Sequence, residues 1–119
     1  MIMLDRLPAW LLAALILLFA IASTVQMARA ESGIASVYGN EHGQWRRADG
    51  RRFIPSQIVC AHKHRKLGSV VRVVNMGTGR SIMCPIRDRG PYIRGRILDL
   101  STGAARALGV HGLAKVRVE

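Results

Sequence analysis

The sequence predicts an all-β fold class: a compact barrel carrying one short helix, behind an N-terminal apolar segment. Three observations carry that expectation. At 119 residues the chain has room for one domain, given roughly 100–200 residues per domain. Beyond residue 30, short runs of β-branched residues alternate with glycine turn signals, the pattern of closely spaced strands. Helical periodicity occurs there only once. Multidomain enzymes, dinucleotide-binding α/β folds and long solenoids are excluded by the same reading.

The elements follow in order. Ala9–Ala22 is an unbroken apolar run of fourteen residues, within the ~7–15 residues of a secretory signal core. Arg6 supplies positive charge before it, weakened by Asp5, and Ala28-Arg29-Ala30 offers the small-x-small pattern that a signal peptidase accepts. Residues 1–30 are therefore expected to be a signal peptide and 31–119 the exported domain. The alternative is an uncleaved membrane anchor, because extension to Met27 approaches the ~20 residues of a bilayer span. No cysteine lies near Ala30, so a lipoprotein is not expected.

Ile34–Tyr38 reads as the first strand, and residues 39–56 as a long polar loop. Ser69–Asn75 is strongly β-like, Met76–Gly79 is a hairpin turn and Arg80–Ile86 the return strand, with Pro85 implying an edge or a bulge. Gly90-Pro91 makes Asp88–Tyr92 a loop. Ser101–Gly109 is the helix, with Ser101 as its cap and Gly109 as its stop. Leu113–Glu119 alternates as a closing strand.

The chain has 18 Lys and Arg against seven Asp and Glu, a net charge of +11. Setting aside Asp5, Arg6 and Arg29 leaves 16 basic and six acidic residues in 31–119. In the cytosol such a balance would suggest nucleic acid. In an exported domain, expected in the periplasm or cell envelope, the available polyanions belong to the wall and the lipid surface, so no nucleic acid is expected. Cys60 and Cys84 are the only cysteines. An oxidising compartment favours a disulfide between them, a reactive thiol being the alternative. His42, His62, His64 and His111 lack compact ligand spacing, so no metal or other cofactor is expected. A monomer is expected.

Several motifs now fall in one order: Gly33-Ile-Ala-Ser-Val-Tyr-Gly39, Ala61-His62 with Lys66-Leu-Gly68, Val73-Val-Asn75 before Gly79-Arg80, Asp88-Arg-Gly-Pro91, and Gly95-Arg-Ile-Leu-Asp-Leu-Ser101 followed by Ala104-Ala105 and Leu108-Gly109. The series resembles the rare lipoprotein A (RlpA-like) family of double-psi β-barrel domains across essentially all of residues 33–118. The resemblance implies a six-stranded barrel related to expansins and barwins. It also implies a lytic transglycosylase acting on peptidoglycan glycan strands, preferably strands free of stem peptides.

The departures are equally specific. Where the family has Thr-Ala-Asn/Ser-Gly-Glu and then Phe-Asp, this chain has Arg47-Ala-Asp-Gly-Arg51 and then Phe53-Ile54. Arg51 stands at the family's Glu and Ile54 at its Asp. The lipoprotein cysteine and the peptidoglycan-binding repeat of some members are absent from the sequence. The paired appearance of Cys60 and Cys84 supports the disulfide.

Glycoside cleavage generally uses two carboxyl groups. A lytic transglycosylase manages with one, because the sugar's own C6 hydroxyl attacks the anomeric carbon; that one group should titrate near the working pH. The carboxylates beyond residue 30 are Glu31, Glu41, Asp49, Asp88, Asp99 and Glu119. Glu31 and Glu119 lie at the ends of the domain, where fixed geometry is not expected. Asp88, on its Gly-Pro loop, is the candidate acid/base, assisted by His62. Flanking Arg87 and Arg89 favour an ionised carboxylate, so a substrate-binding or ion-paired Asp88 is the alternative. Asp99 is expected to cap the helix or brace the arginine-rich loop, and Glu41 or Asp49 to stand in for the missing acid at most. Tyr38, Gly39, Arg89, Gly90, Pro91 and Tyr92 are the expected substrate-binding residues, with Trp45 in the long loop and Phe53 in the core. The arginine and lysine clusters at 46–47, 51–52 and 63–66 would steer the domain to wall anions. A non-catalytic, expansin-like glycan-binding module is the competing function, favoured by Arg51 and Ile54.

Overall fold

The computed structural model describes residues 7–26, 30–38 and 46–119. Within them lie helix α1 (Ala9–Gln26), strands β1 (Glu31–Val37), β2 (Cys60–Ala61), β3 (Val70–Asn75), β4 (Ser81–Asp88) and β5 (Arg96–Leu100), helix α2 (Thr102–Leu108) and strand β6 (Ala114–Val118). The six strands close a barrel in the order β1-β5-β2-β4-β3-β6. Pairs β1/β5 and β2/β4 are parallel and the other pairs antiparallel. The expected six-stranded barrel with one short helix is present. Helix α1 precedes it, with Trp10, Leu15, Ile16, Leu17 and Leu18 exposed.

Strand alternation builds the core. Val71 and Val73 of β3, Cys84 and Ile86 of β4, Leu98 and Leu100 of β5, and Val116 and Val118 of β6 all point inward and are buried. Each large aliphatic chain so buried contributes about 1.5–3 kcal/mol relative to an exposed one. The Cys60–Cys84 disulfide crosses this core with Cα atoms 6.1 Å apart, and both residues are fully buried.

Helix α2 closes one end. The Ser101 hydroxyl accepts from the Ala104 amide at 3.1 Å, and Gly109 ends the helix at φ 69°, the left-handed conformation that glycine adopts without a Cβ clash. Ala104, Ala105 and Leu108 face the barrel.

Pro85 satisfies both expectations locally. The Ile86 amide donates to Ser69 on the β3 side, so the missing amide of Pro85 faces the other neighbour. There β2 begins only at Cys60, opposite Ile86, and an irregularity follows between Cys60 and Ala61. The closed barrel thus leaves a short local edge where proline costs no ladder hydrogen bond. The first strand starts at Glu31 rather than Ile34, extending its antiparallel ladder with β6 down to Val118.

Candidate functional site

The end of β1, the end of β4, β5 and a small hairpin converge around Asp88. Ala61 of β2 is the register partner of Asp88 on one side and of Asp99 on the other. Tyr38 follows β1 directly, its amide donating to Leu100 O at 2.9 Å. Its ring stacks on buried Phe53 with centroids 4.8 Å apart. Burial first, and then the negative charges of Asp88 and Asp99, push the Tyr38 phenol above its ordinary pKa.

Asp88 Oδ1 accepts two backbone amides, from Ala48 and from Arg89, each at 2.9 Å. Among the described residues, Oδ2 carries no hydrogen bond and Asp88 makes no salt bridge. The flanking arginines are engaged elsewhere or apart. Arg89 Nη1 donates to His62 O at 3.1 Å and to Arg65 O at 2.6 Å, bracing the 62–65 loop, and Arg87 lies beside Gly68. Asp88 is therefore not in a structural ion pair with either neighbour.

The hairpin lies within the segment 39–56 expected to be a long polar loop. Arg46 and Arg52 form a bridge, Arg47 N donates to Arg51 O at 2.8 Å, and Gly50 turns at φ 84°. Asp49 is bidentate to the buried Arg47 guanidinium (3.0 and 2.8 Å) and also accepts the Arg51 amide. Burial would raise the Asp49 pKa, but the Arg47 hydrogen bonds and charge, with the Arg51 amide, hold it below the usual carboxylate range. Asp49 is thus held in the hairpin by Arg47 and the Arg51 amide. Glu41, Gly39, His42 and Trp45 lie outside the described residues.

Asp99 does not cap the helix; Ser101 does. The side chain of Asp99 instead accepts the Ser36 hydroxyl, and its Oδ2 faces Gly90. Gly90 is buried at φ 117°, which excludes other residues without strain. Pro91, joined to it through a cis peptide, is buried as well. Tyr92 is 78% exposed and is the open aromatic of this loop.

His62 is placed away from the Asp88 carboxyl. Its Nδ1 accepts the amides of His64 and Arg65 at 3.2 and 3.1 Å, so the ring proton resides on Nε2, which donates to Glu31 Oε1. Burial lowers the His62 pKa, and Glu31 offsets this only in part, so the ring is neutral at pH 7. For Glu31, burial acts to raise the pKa, but His62 and Arg65 hold it below the ordinary value. The contact expected between His62 and Asp88 is backbone only, His62 N to Asp88 O at 3.2 Å. A cavity of about 130 Å³ lined by Glu31, His62, Lys63, His64, Arg96 and Ile97 lies on this side. Among the described residues, no three of His, Cys, Asp and Glu converge as a metal site.

Sequence reasoning missed Glu31, because strand pairing with β6 fixes a residue that looked terminal. It also missed Ser36 as a partner of Asp99. The Asp49-Gly50 turn signal could have located the hairpin.

Residues 30–119 match the sequence family described as lytic transglycolase. The chain is 48% identical over 103 residues to a probable endolytic peptidoglycan transglycosylase RlpA from Nostoc sp., covering 83% of this chain and 27% of that protein. It is 44% identical over 106 residues to the Synechocystis sp. protein of the same description, covering 88% and 32%. The endolytic peptidoglycan transglycosylase RlpA of Escherichia coli K12 is 37% identical over 90 residues, covering 76% and 25%. The chain thus spans about a quarter to a third of the length of these relatives. An apo expansin from Clavibacter michiganensis shares the fold at TM-score 0.59 and 19% identity, covering 76% of this chain and 50% of that one. A papain inhibitor from Streptomyces does so at 0.57 and 20%, covering 75% and 92%. The fold and site define a double-psi β-barrel with a carboxylate loop. The chain belongs to the RlpA-like lytic transglycolase family.

Proposed function

We propose that this protein is an exported, wall-acting lytic transglycosylase that cleaves peptidoglycan glycan strands, with Asp88 as its single acid/base. The observation that carries the reading is the asymmetry of the Asp88 carboxyl. Two amides fix Oδ1, while Oδ2 accepts no hydrogen bond among the described residues. In the reaction, Oδ2–H protonates the glycosidic oxygen as the bond to the anomeric carbon breaks. The resulting carboxylate then takes the proton of the muramic C6 hydroxyl as that oxygen attacks the same carbon. The carboxyl ends protonated as it began, and the strand ends in a 1,6-anhydro sugar. Tyr92 offers an exposed stacking face beside the loop. His62 acts as a positioning residue, since its ring is occupied by Glu31 and two amides.

Residues 1–30 direct export on this reading, with the exposed apolar α1 as the signal core. Strands lacking stem peptides are the preferred substrate.

A second reading, a non-catalytic glycan-binding module, is favoured by one observation. Arg51 and Ile54, at the positions of the family's Glu and Asp, are both exposed beside the site and carry no carboxyl. Dye-labelled sacculi distinguish the two readings: release of soluble dye supports cleavage, whereas retention of the protein on intact sacculi without release supports binding alone.

A further inference from the structure

The hairpin 46–52 carries four arginines and one aspartate, and the aspartate is neutralised inside it by Arg47. Arg46, Arg51 and Arg52 are exposed. Among the described residues none of the three forms a salt bridge, and only Arg46 uses one nitrogen internally, to Gly50 O. The bridge between Arg46 and Arg52 and the Asp49 contacts place the three in one turn. The Ala48 amide hooks this turn onto Asp88 Oδ1 at 2.9 Å. The exposed Arg46, Arg51 and Arg52 therefore all belong to the turn that Ala48 ties to Asp88.

Sugar hydroxyls do not require such an array. Carboxylates do, because a guanidinium meets them with two parallel charge-assisted hydrogen bonds. On a wall glycan, carboxylates come from two sources: the lactyl group of muramic acid, free once the peptide is removed, or the stem peptide itself. We propose that the hairpin is a carboxylate-reading surface that selects glycan strands by their anionic substituents. This inference rests on the glycan-strand reading above and adds its charge specificity.

The test compares binding of the full-length protein to five defined polymers by sedimentation and anisotropy. These are denuded peptidoglycan strands, the same strands with lactyl carboxyls converted to methyl amides, peptide-bearing strands, neutral chitooligosaccharides and single-stranded DNA. Denuded or peptide-bearing strands should bind roughly tenfold or more tighter than the amidated strands, as charge-assisted hydrogen bonds imply, and the tighter of the two identifies the source. Arg51→Gln/Arg52→Gln should bring that ratio toward one, with Arg51→Lys/Arg52→Lys restoring part of it and circular dichroism unchanged in both. Amidated strands that bind as tightly as both the denuded and the peptide-bearing strands, or DNA that binds as tightly as the better of those two, overturn the proposal while leaving glycan binding intact. Binding to none of the glycans overturns both readings.

Discussion

Asp88 and Asp99 are both register partners of a single residue, Ala61, one on each side of the two-residue strand β2. A strand this short acts as a spacer. It sets two carboxylate-bearing strands at about two inter-strand steps of ~4.8 Å, and Tyr38 senses the charge of both. The two acids differ in their contacts: Asp99 accepts the Ser36 hydroxyl, whereas among the described residues Asp88 Oδ2 accepts no hydrogen bond.

The first prediction concerns that difference. Asp88→Ala removes the acceptor of two backbone amides and should cost about 0.5–1.5 kcal/mol per hydrogen bond lost. Asp88→Asn keeps an oxygen for them and should cost far less stability. Thermal melts of the two variants beside wild type check the ordering.

The paired losses at 51 and 54 give a second prediction. Arg51→Glu/Ile54→Asp restores the family's two carboxyls at exposed positions, so stability should change by less than about 0.5 kcal/mol per site. Strand cleavage should rise by roughly a hundredfold or more, the range for a positioned acid/base. Initial rates of strand cleavage measure it, and an unchanged rate would show that Asp88 works without them.

Stability should fall on acidification in two stages. His62 has a lowered pKa when folded, so the unfolded chain binds its proton more readily. Its contribution is complete above about pH 6.5 and is lost as pH falls through the lower folded value. Glu31 and Asp49 are also lowered; their contributions are complete above about pH 4.5 and decline below that. Denaturant midpoints from pH 8 to pH 3 should show both stages, with the second reduced in Glu31→Gln. A flat profile between pH 7 and pH 5 would contradict the neutral, buried His62.

Removing the Cys60–Cys84 cross-link opens a loop of sequence separation 24. Loop-closure entropy makes it worth roughly 3 kcal/mol. In a domain of this size Cys60→Ser/Cys84→Ser should therefore lower Tm by roughly 10 °C or more. Calorimetry of oxidised protein and the double variant measures the difference.

Much of this fold was legible because its signals are local. The alternation of Ser69–Asn75 and Leu113–Glu119, the hairpin turn at Met76–Gly79, and the Ser101 and Gly109 caps each depend on a few neighbouring residues. Strands β2 and β5 were not legible from pattern: β2 has only two residues, and β5 shows no clean alternation. Of the surroundings of Asp88, the loop through Tyr92 was legible from Gly90-Pro91. The inner connections there were not, since Glu31 with His62, Ser36 with Asp99 and Ala48 with Asp88 join residues 31, 63 and 40 positions apart. Barrel closure makes such contacts, and no local composition announces them.

The most direct test of a single-acid transglycosylase is mass spectrometry of the ends formed from denuded glycan strands. The native protein and Asp88→Asn should be run side by side, each also in the Arg51→Glu/Ile54→Asp background. The native protein should form anhydromuramic ends, the Arg51→Glu/Ile54→Asp variant should form more, and neither form carrying Asp88→Asn should form any. Anhydromuramic ends that persist undiminished in Asp88→Asn would contradict the single-acid reading.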